Sequence, residues 1–137
     1  MDFNYTDEQT MLRESVSRYL AANYGFETRM HVVNGEQGWS PAAWKAFAEE
    51  LGIFGASFSE AQGGFGGGAV ENMIVMEEVG KALVVEPYLS TVVIAGGALK
   101  ATGGALAEAV IPQIIDGRAV IAFAYAEPQG RDRKSHV

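Results

Sequence analysis

The chain has 137 residues, 48% of them hydrophobic, which is enough for one domain with a core of its own. A formal net charge of -7 argues against nucleic acid or an anionic membrane as partner, since both need a basic surface, and without cysteine there is no disulfide, thiol nucleophile or thiolate metal site. Residues 1–10 lack the basic start and apolar core of a signal peptide, and apolar runs such as 91–99 fall short of the roughly 20 residues that span a bilayer, so no membrane partner and a cytoplasmic location are expected.

Thr6, followed by Asp7, Glu8 and then Gln9, has the spacing of a capping box, which predicts a helix beginning there. Leu12, Val16, Tyr19 and Leu20 give that helix a narrow apolar face, suited to the outside of a bundle, and Asn23 to Gly25 stop it. Residues 26–38 read as a short helix and a loop. Ser40-Pro41 opens the next helix as N-cap and first-turn proline; Trp44, Phe47, Ala48 and Leu51 repeat along it, Gly52 closes it, and Trp39 and Trp44 are packing residues.

A glycine-rich turn then leads into an apolar segment at 69–83. Val70, Met73, Ile74, Val75, Met76, Val79, Ala82 and Leu83 cover more than one stripe, which predicts a central helix enclosed by others. Glu71, Glu77, Glu78 and Lys81 form its polar edge, read as solvated or partner-facing, with Glu77 and Lys81 one turn apart. Pro87 breaks the pattern, and residues 88–102 form a further apolar helix interrupted by Gly96-Gly97, a pair that tight helix packing or a close ligand would explain. A last helix, 105–116, contains Pro112, which would kink or restart it; Asp116-Gly117 is a turn, and the apolar run 119–125 suits a strand. No second apolar run follows to pair with it, so the chain reads as cut from a longer design.

Chemistry of its own is hard to find in these residues. The glycines at 63–68 are not preceded by a strand or followed by Gly-Lys-Ser or Gly-Lys-Thr, so they are not a phosphate loop. Glu77 and Glu78 are adjacent on a helix and cannot face one another as acid and base, and His31 has no partner at metal-ligand spacing, so no metal site is expected. On the residues alone this is an all-α domain without a self-contained active site.

The order Leu51-Gly52-x-x-Gly55, Glu60-x-x-Gly63-Gly64-x-Gly66, Met76-Glu77-Glu78-Val79-Gly80-Lys81-Ala82 and Glu127-Pro128 resembles the N-terminal half of the acyl-CoA dehydrogenases. Within that family, Gly64-Phe65-Gly66-Gly67-Gly68-Ala69-Val70-Glu71, Val85-Glu86-Pro87-Tyr88-Leu89 and Ala122-Phe123-Ala124 look most like the small-subunit branch of the pimeloyl-CoA dehydrogenases. The resemblance implies an N-terminal helical, up-down orthogonal domain at 1–117, with 118–137 as the start of a middle β domain and a C-terminal helical domain beyond. It also implies FAD, oxidation of an acyl-CoA thioester between Cα and Cβ, an acceptor for the electrons of the reduced flavin, and either homo- or hetero-oligomers with a partner dehydrogenase subunit. A non-catalytic helical module that binds such a subunit is the alternative.

The family's aromatic-x-x-Thr-Glu-Pro motif falls on Phe123-Ala124-Tyr125-Ala126-Glu127-Pro128, which makes Phe123, Tyr125 and Ala126 the expected flavin contacts. Ala126 replaces the usual threonine, Ser59 the usual proline, and 129–137 lacks the family's Gly-x-Gly-Ser. The family's catalytic glutamate lies in its C-terminal domain and has no counterpart here. An apolar helix over 88–99 is the natural acyl-facing wall of a dry slot, with Leu89, Val92, Val93 and Gly96 as expected lining. Apolar faces intended for further domains predict self-association.

Overall fold

The structure, a computed structural model, describes residues 4–124. Within them the chain is all-helical: α1 Asp7–Asn23, α2 Phe26–Val33, α3 Pro41–Glu49, α4 Ala69–Lys81, a π-helical segment Leu89–Gly96 continuing into α5 Gly97–Thr102, and α6 Gly104–Ile115. The helix boundaries follow the capping chemistry. Thr6 and Gln9 form the reciprocal capping box, Gln9 N–H donating to Thr6 Oγ1 at 3.2 Å and Thr6 N–H to Gln9 Oε1 at 3.0 Å. Ser40 Oγ accepts from Ala43 N–H ahead of Pro41, and Gly52 leaves α3 in the left-handed region with φ 64°.

α1 packs along α4. Phe54 lies at the centre of the core, fully buried, 4.2 Å from the Trp44 ring, 6.0 Å from Tyr88 and 6.5 Å from Phe47 between centroids. Residues 53–58 are all buried although only 53–55 have helical turns. Six consecutive buried positions carry no alternation or helical period, so nothing in their pattern distinguishes them from a surface turn.

The glycines after them explain how a loop can be interior. A Cβ on Gly64 would stand 2.3 Å from the Phe58 carbonyl oxygen and 2.6 Å from that of Gly55, and one on Gly67 would stand 2.3 Å from that of Ala56. The two strands of the loop thus pass at backbone distance, joined by Phe65 N–H to Gly55 C=O at 3.0 Å and Gly66 N–H to Phe58 C=O at 2.8 Å. At the entry to α4 the Glu71 carboxylate accepts from Gly68 N–H at 2.6 Å and from Gln9 Nε2 at 2.8 Å. This helix N-terminus carries its own anion.

Three readings of the sequence change. α4 is central but not enclosed: Ile74, Val75 and Val79 are buried, whereas Val70 and Met73 are exposed. Its polar edge is not uniformly solvated, since Glu78 is 5% exposed and held by Arg13 Nε at 3.3 Å and Lys81 Nζ at 2.8 Å. Residues 119–124, expected to begin a strand, have neither helix nor ladder; among the described residues there is no second strand for them to pair with. Residue 125 and the tail that follows lie outside the described residues. Elsewhere α6 runs through Pro112 as one helix, and Gly117 makes the expected turn at φ 73°, its carbonyl accepting from Trp44 Nε1 at 2.9 Å.

Candidate functional site

The helices leave a groove of mainly apolar character. Gly103 and Gly104, at φ 65° and 78°, reverse the chain between α5 and α6, and residues 121–123 return alongside both. Together they enclose a groove of about 330 Å³ lined by Ala95, Ala98, Leu99 and Thr102 on one side, Leu106 and Val110 on the second, and Ile121, Ala122 and Phe123 on the third. Ala95, Ala98, Leu99 and Thr102 recur at i, i+3, i+4 and i+7, which a helix collects on one face. Among the described residues no charged side chain lines the groove. Its hydroxyl, Thr102 Oγ1, is shared between the Ala98 and Leu99 carbonyls of its own helix at 3.0 and 3.2 Å.

The sequence-predicted site residues are divided by this geometry. Phe123, 52% exposed, lines the groove; Tyr125 and Ala126 lie outside the described residues. Leu89 faces solvent at 49%, Val92 is buried in the core, Val93 is half-buried, and Gly96 is buried, where a Cβ would meet Phe58 Cζ at 2.7 Å. The groove takes Ala95 and Ala98 from that helix, and the signal that points to them is a repeat of small residues at helical spacing. Gly96 is explained by tight packing, whereas a Cβ on Gly97 would meet nothing within 4 Å.

Two polar clusters lie away from the groove. Burial pushes the Glu78 carboxyl up, but hydrogen bonds from Lys81 and Arg13 outweigh it and hold the group below the usual carboxylate range. Glu86, also buried, accepts from Tyr24 OH at 2.7 Å and from Ser40 N–H at 3.0 Å, tying the end of α1 to the start of α3. Burial and that carboxylate push the Tyr24 phenol up to about 12. Both clusters are satisfied within the fold. Tyr88, buried at the start of the π-helical segment, likewise reaches the Asn72 side chain at 3.3 Å.

Chemically the groove can bury an apolar chain and exclude water from it. Among the described residues its side chains offer a flavin no free donor and no titratable group. No helix among the described residues is long and apolar enough to cross a membrane.

The family described as "Acyl-CoA dehydrogenase, N-terminal domain" matches residues 6–118. The chain belongs to that family. The acyl-CoA dehydrogenase FadE12 of Mycobacterium tuberculosis is 33% identical over 132 residues, 92% of this chain and 32% of the relative. IpdE2 of Mycolicibacterium smegmatis, also an acyl-CoA dehydrogenase, is 33% identical over 86 residues, 63% of this chain and 28% of the relative. The ChsE4-ChsE5 complex from Mycobacterium tuberculosis has a chain that superposes with a TM-score of 0.78 at 26% identity, covering 89% of this chain and 34% of that one. The chain thus spans about a third of the length of the curated relatives it matches. The match to the N-terminal-domain family ends at residue 118, just before the segment that forms the third side of the groove.

Proposed function

We propose that this chain supplies the helical wall of the acyl pocket in an FAD-dependent acyl-CoA dehydrogenase, an oxidoreductase that oxidises an acyl-CoA thioester between Cα and Cβ. The observation that carries the reading is the apolar groove ending at Phe123, within a chain whose family generally uses FAD. Residues 1–117 are then the helical domain, and 118–137 the start of a β domain. The groove's side chains offer the flavin no polar partner, so its hydrogen bonds fall to backbone groups of the 122–126 segment or to other domains. No side chain of the groove can act as a base. The chain's share of the work is to seat the acyl tail and keep water away from it.

The test is calorimetric titration of the chain with butanoyl-, octanoyl- and dodecanoyl-CoA. Each methylene buried in the groove is worth about 0.8 kcal/mol, about a fourfold gain in affinity, so affinity should climb with length until the groove is filled. Ala98→Phe, which fills the groove, should abolish the gain. Equal affinity for CoA and dodecanoyl-CoA would sink the acyl-wall reading.

A second reading is a non-catalytic module that docks on a dehydrogenase subunit. It draws on the exposed Met11, Phe65, Val70 and Met73 and on structural neighbours named as pairs, ChsE4 with ChsE5 and Tcur3481 with Tcur3483. Sedimentation at rising concentration tests the tendency of those faces to associate; a strictly monomeric chain would count against it.

A further inference from the structure

We propose that Thr91 is a positioning residue that holds the 121–123 side of the groove in place, an inference that rests on the acyl-wall reading above. Thr91 is fully buried on the π-helical segment. Its hydroxyl donates to the Ile121 carbonyl at 3.0 Å and accepts from the Ile121 N–H at 3.0 Å. One side chain therefore satisfies both backbone groups of one residue, doing for Ile121 what a neighbouring strand does in a ladder.

The bond is not the usual one for a helical hydroxyl. Ser90 and Thr102, on the same helix, turn back to carbonyls of their own turns, Ser90 Oγ to Pro87 at 3.2 Å and Thr102 Oγ1 to Ala98 at 3.0 Å. Thr91 is aimed across to another segment instead. A π-helical turn, closing its bonds one residue later than an α turn, is the kind of local distortion that redirects a side chain, and such turns gather at functional sites. Among the described residues after Gly117, a further backbone tie to the helices runs from Ala119 N–H to the Gln113 carbonyl at 3.0 Å. That bond is two residues short of the groove, so the polar tie that fixes Ile121 there is the one from Thr91, added to the packing of Ile121 against the core.

The experiment compares the full chain with Thr91→Val, which keeps the shape and removes the hydroxyl, and Thr91→Ser, which keeps the hydroxyl. Amide hydrogen exchange at Ile121 is the first readout and dodecanoyl-CoA affinity the second. We expect a protected Ile121 amide in the wild type and in Thr91→Ser. In Thr91→Val that protection is lost while the α1 and α4 amides stay protected, and dodecanoyl-CoA binding weakens about tenfold, as for two neutral hydrogen bonds lost together. An unprotected Ile121 amide in the wild type overturns the proposal even if Thr91→Val does not fold. Lost protection with unchanged dodecanoyl-CoA affinity overturns the positioning role. A wild type that binds no acyl-CoA overturns the acyl-wall reading, and the exchange data then decide alone whether Thr91 holds Ile121.

Discussion

Residues 53–58 and residues 119–124 are both apolar stretches outside long helices, yet one is the centre of the molecule and the other its open edge. The first is buried throughout, with Phe54 and Phe58 at 0% and 1% exposure; the second leaves Val120 at 49% and Phe123 at 52%. Composition does not separate them. The difference is in what covers them among the described residues: glycine backbone passes over 55–58 at carbonyl-contact distance, whereas 121–123 has helices on one side only. Stability and the candidate binding surface are therefore carried by different apolar segments, and substitutions should separate them.

The largest expected effect is at the centre. Phe54→Ala removes a ring packed between Trp44, Phe47 and Tyr88 and should cost about 4 kcal/mol in denaturant unfolding. Phe123→Ala should change stability by no more than about 0.5 kcal/mol while weakening acyl-CoA binding. Comparable losses for the two would erase the distinction between core and edge. Next comes the cover itself. Gly64→Ala drives a methyl against two backbone carbonyls that cannot swing aside, for about 3 kcal/mol. Gly96→Ala meets chiefly the buried Phe58 ring, for about 2 kcal/mol. Both read out as lowered unfolding midpoints, and an unchanged midpoint for Gly64→Ala would mean the loop crossing is not formed in solution.

Much of this fold is legible because helix ends have chemistry. Thr6 with Gln9, Ser40 with Pro41 and Gly117 after Asp116 each mark a boundary that the structure keeps. What stays hidden needs partners distant in sequence. The burial of 53–58 depends on glycines up to eleven residues later, and Glu78 looks like its neighbour Glu77 until the fold buries it to 5% exposure and leaves Glu77 at 42%, with Arg13 reaching both. Phe123 is reached through a family motif, not a pattern, and the small side chains of Ala95 and Ala98 draw less notice than the bulkier Leu89, Val92 and Val93. Thr91 gives no signal, because its meaning lies in a segment thirty residues away.

Glu78 allows the contrast to be sharpened by pH. Its folded pKa lies below the ordinary value, so its ion pairs add stability that is fully present above the unfolded carboxylate pKa, about 4.3, and is lost as pH falls through the lower folded value. Arg13 and Lys81 are about half exposed, so solvent screening limits the effect to about 1 kcal/mol. Glu78→Gln should therefore destabilise at neutral pH and flatten the loss of stability between about pH 5 and pH 3. A wild-type curve with the same acid slope as Glu78→Gln would remove Glu78 from the account. The groove has no charged lining, so acyl-CoA tail affinity should not follow that curve in the folded range.

The smallest effect has the opposite sign. Gly97 follows Gly96 with almost the same helical backbone, φ -62° against -60°, so conformation does not distinguish them. Space does: a methyl on Gly97 has nothing within 4 Å, and replacing helical glycine by alanine without a clash restores about 0.8 kcal/mol of backbone entropy. Gly97→Ala should thus raise the unfolding midpoint while Gly96→Ala lowers it. If Gly97→Ala also destabilises, something covers that face in solution. A midpoint that rises with protein concentration in the wild type, and less so in Gly97→Ala, would identify the cover as a second copy of the chain.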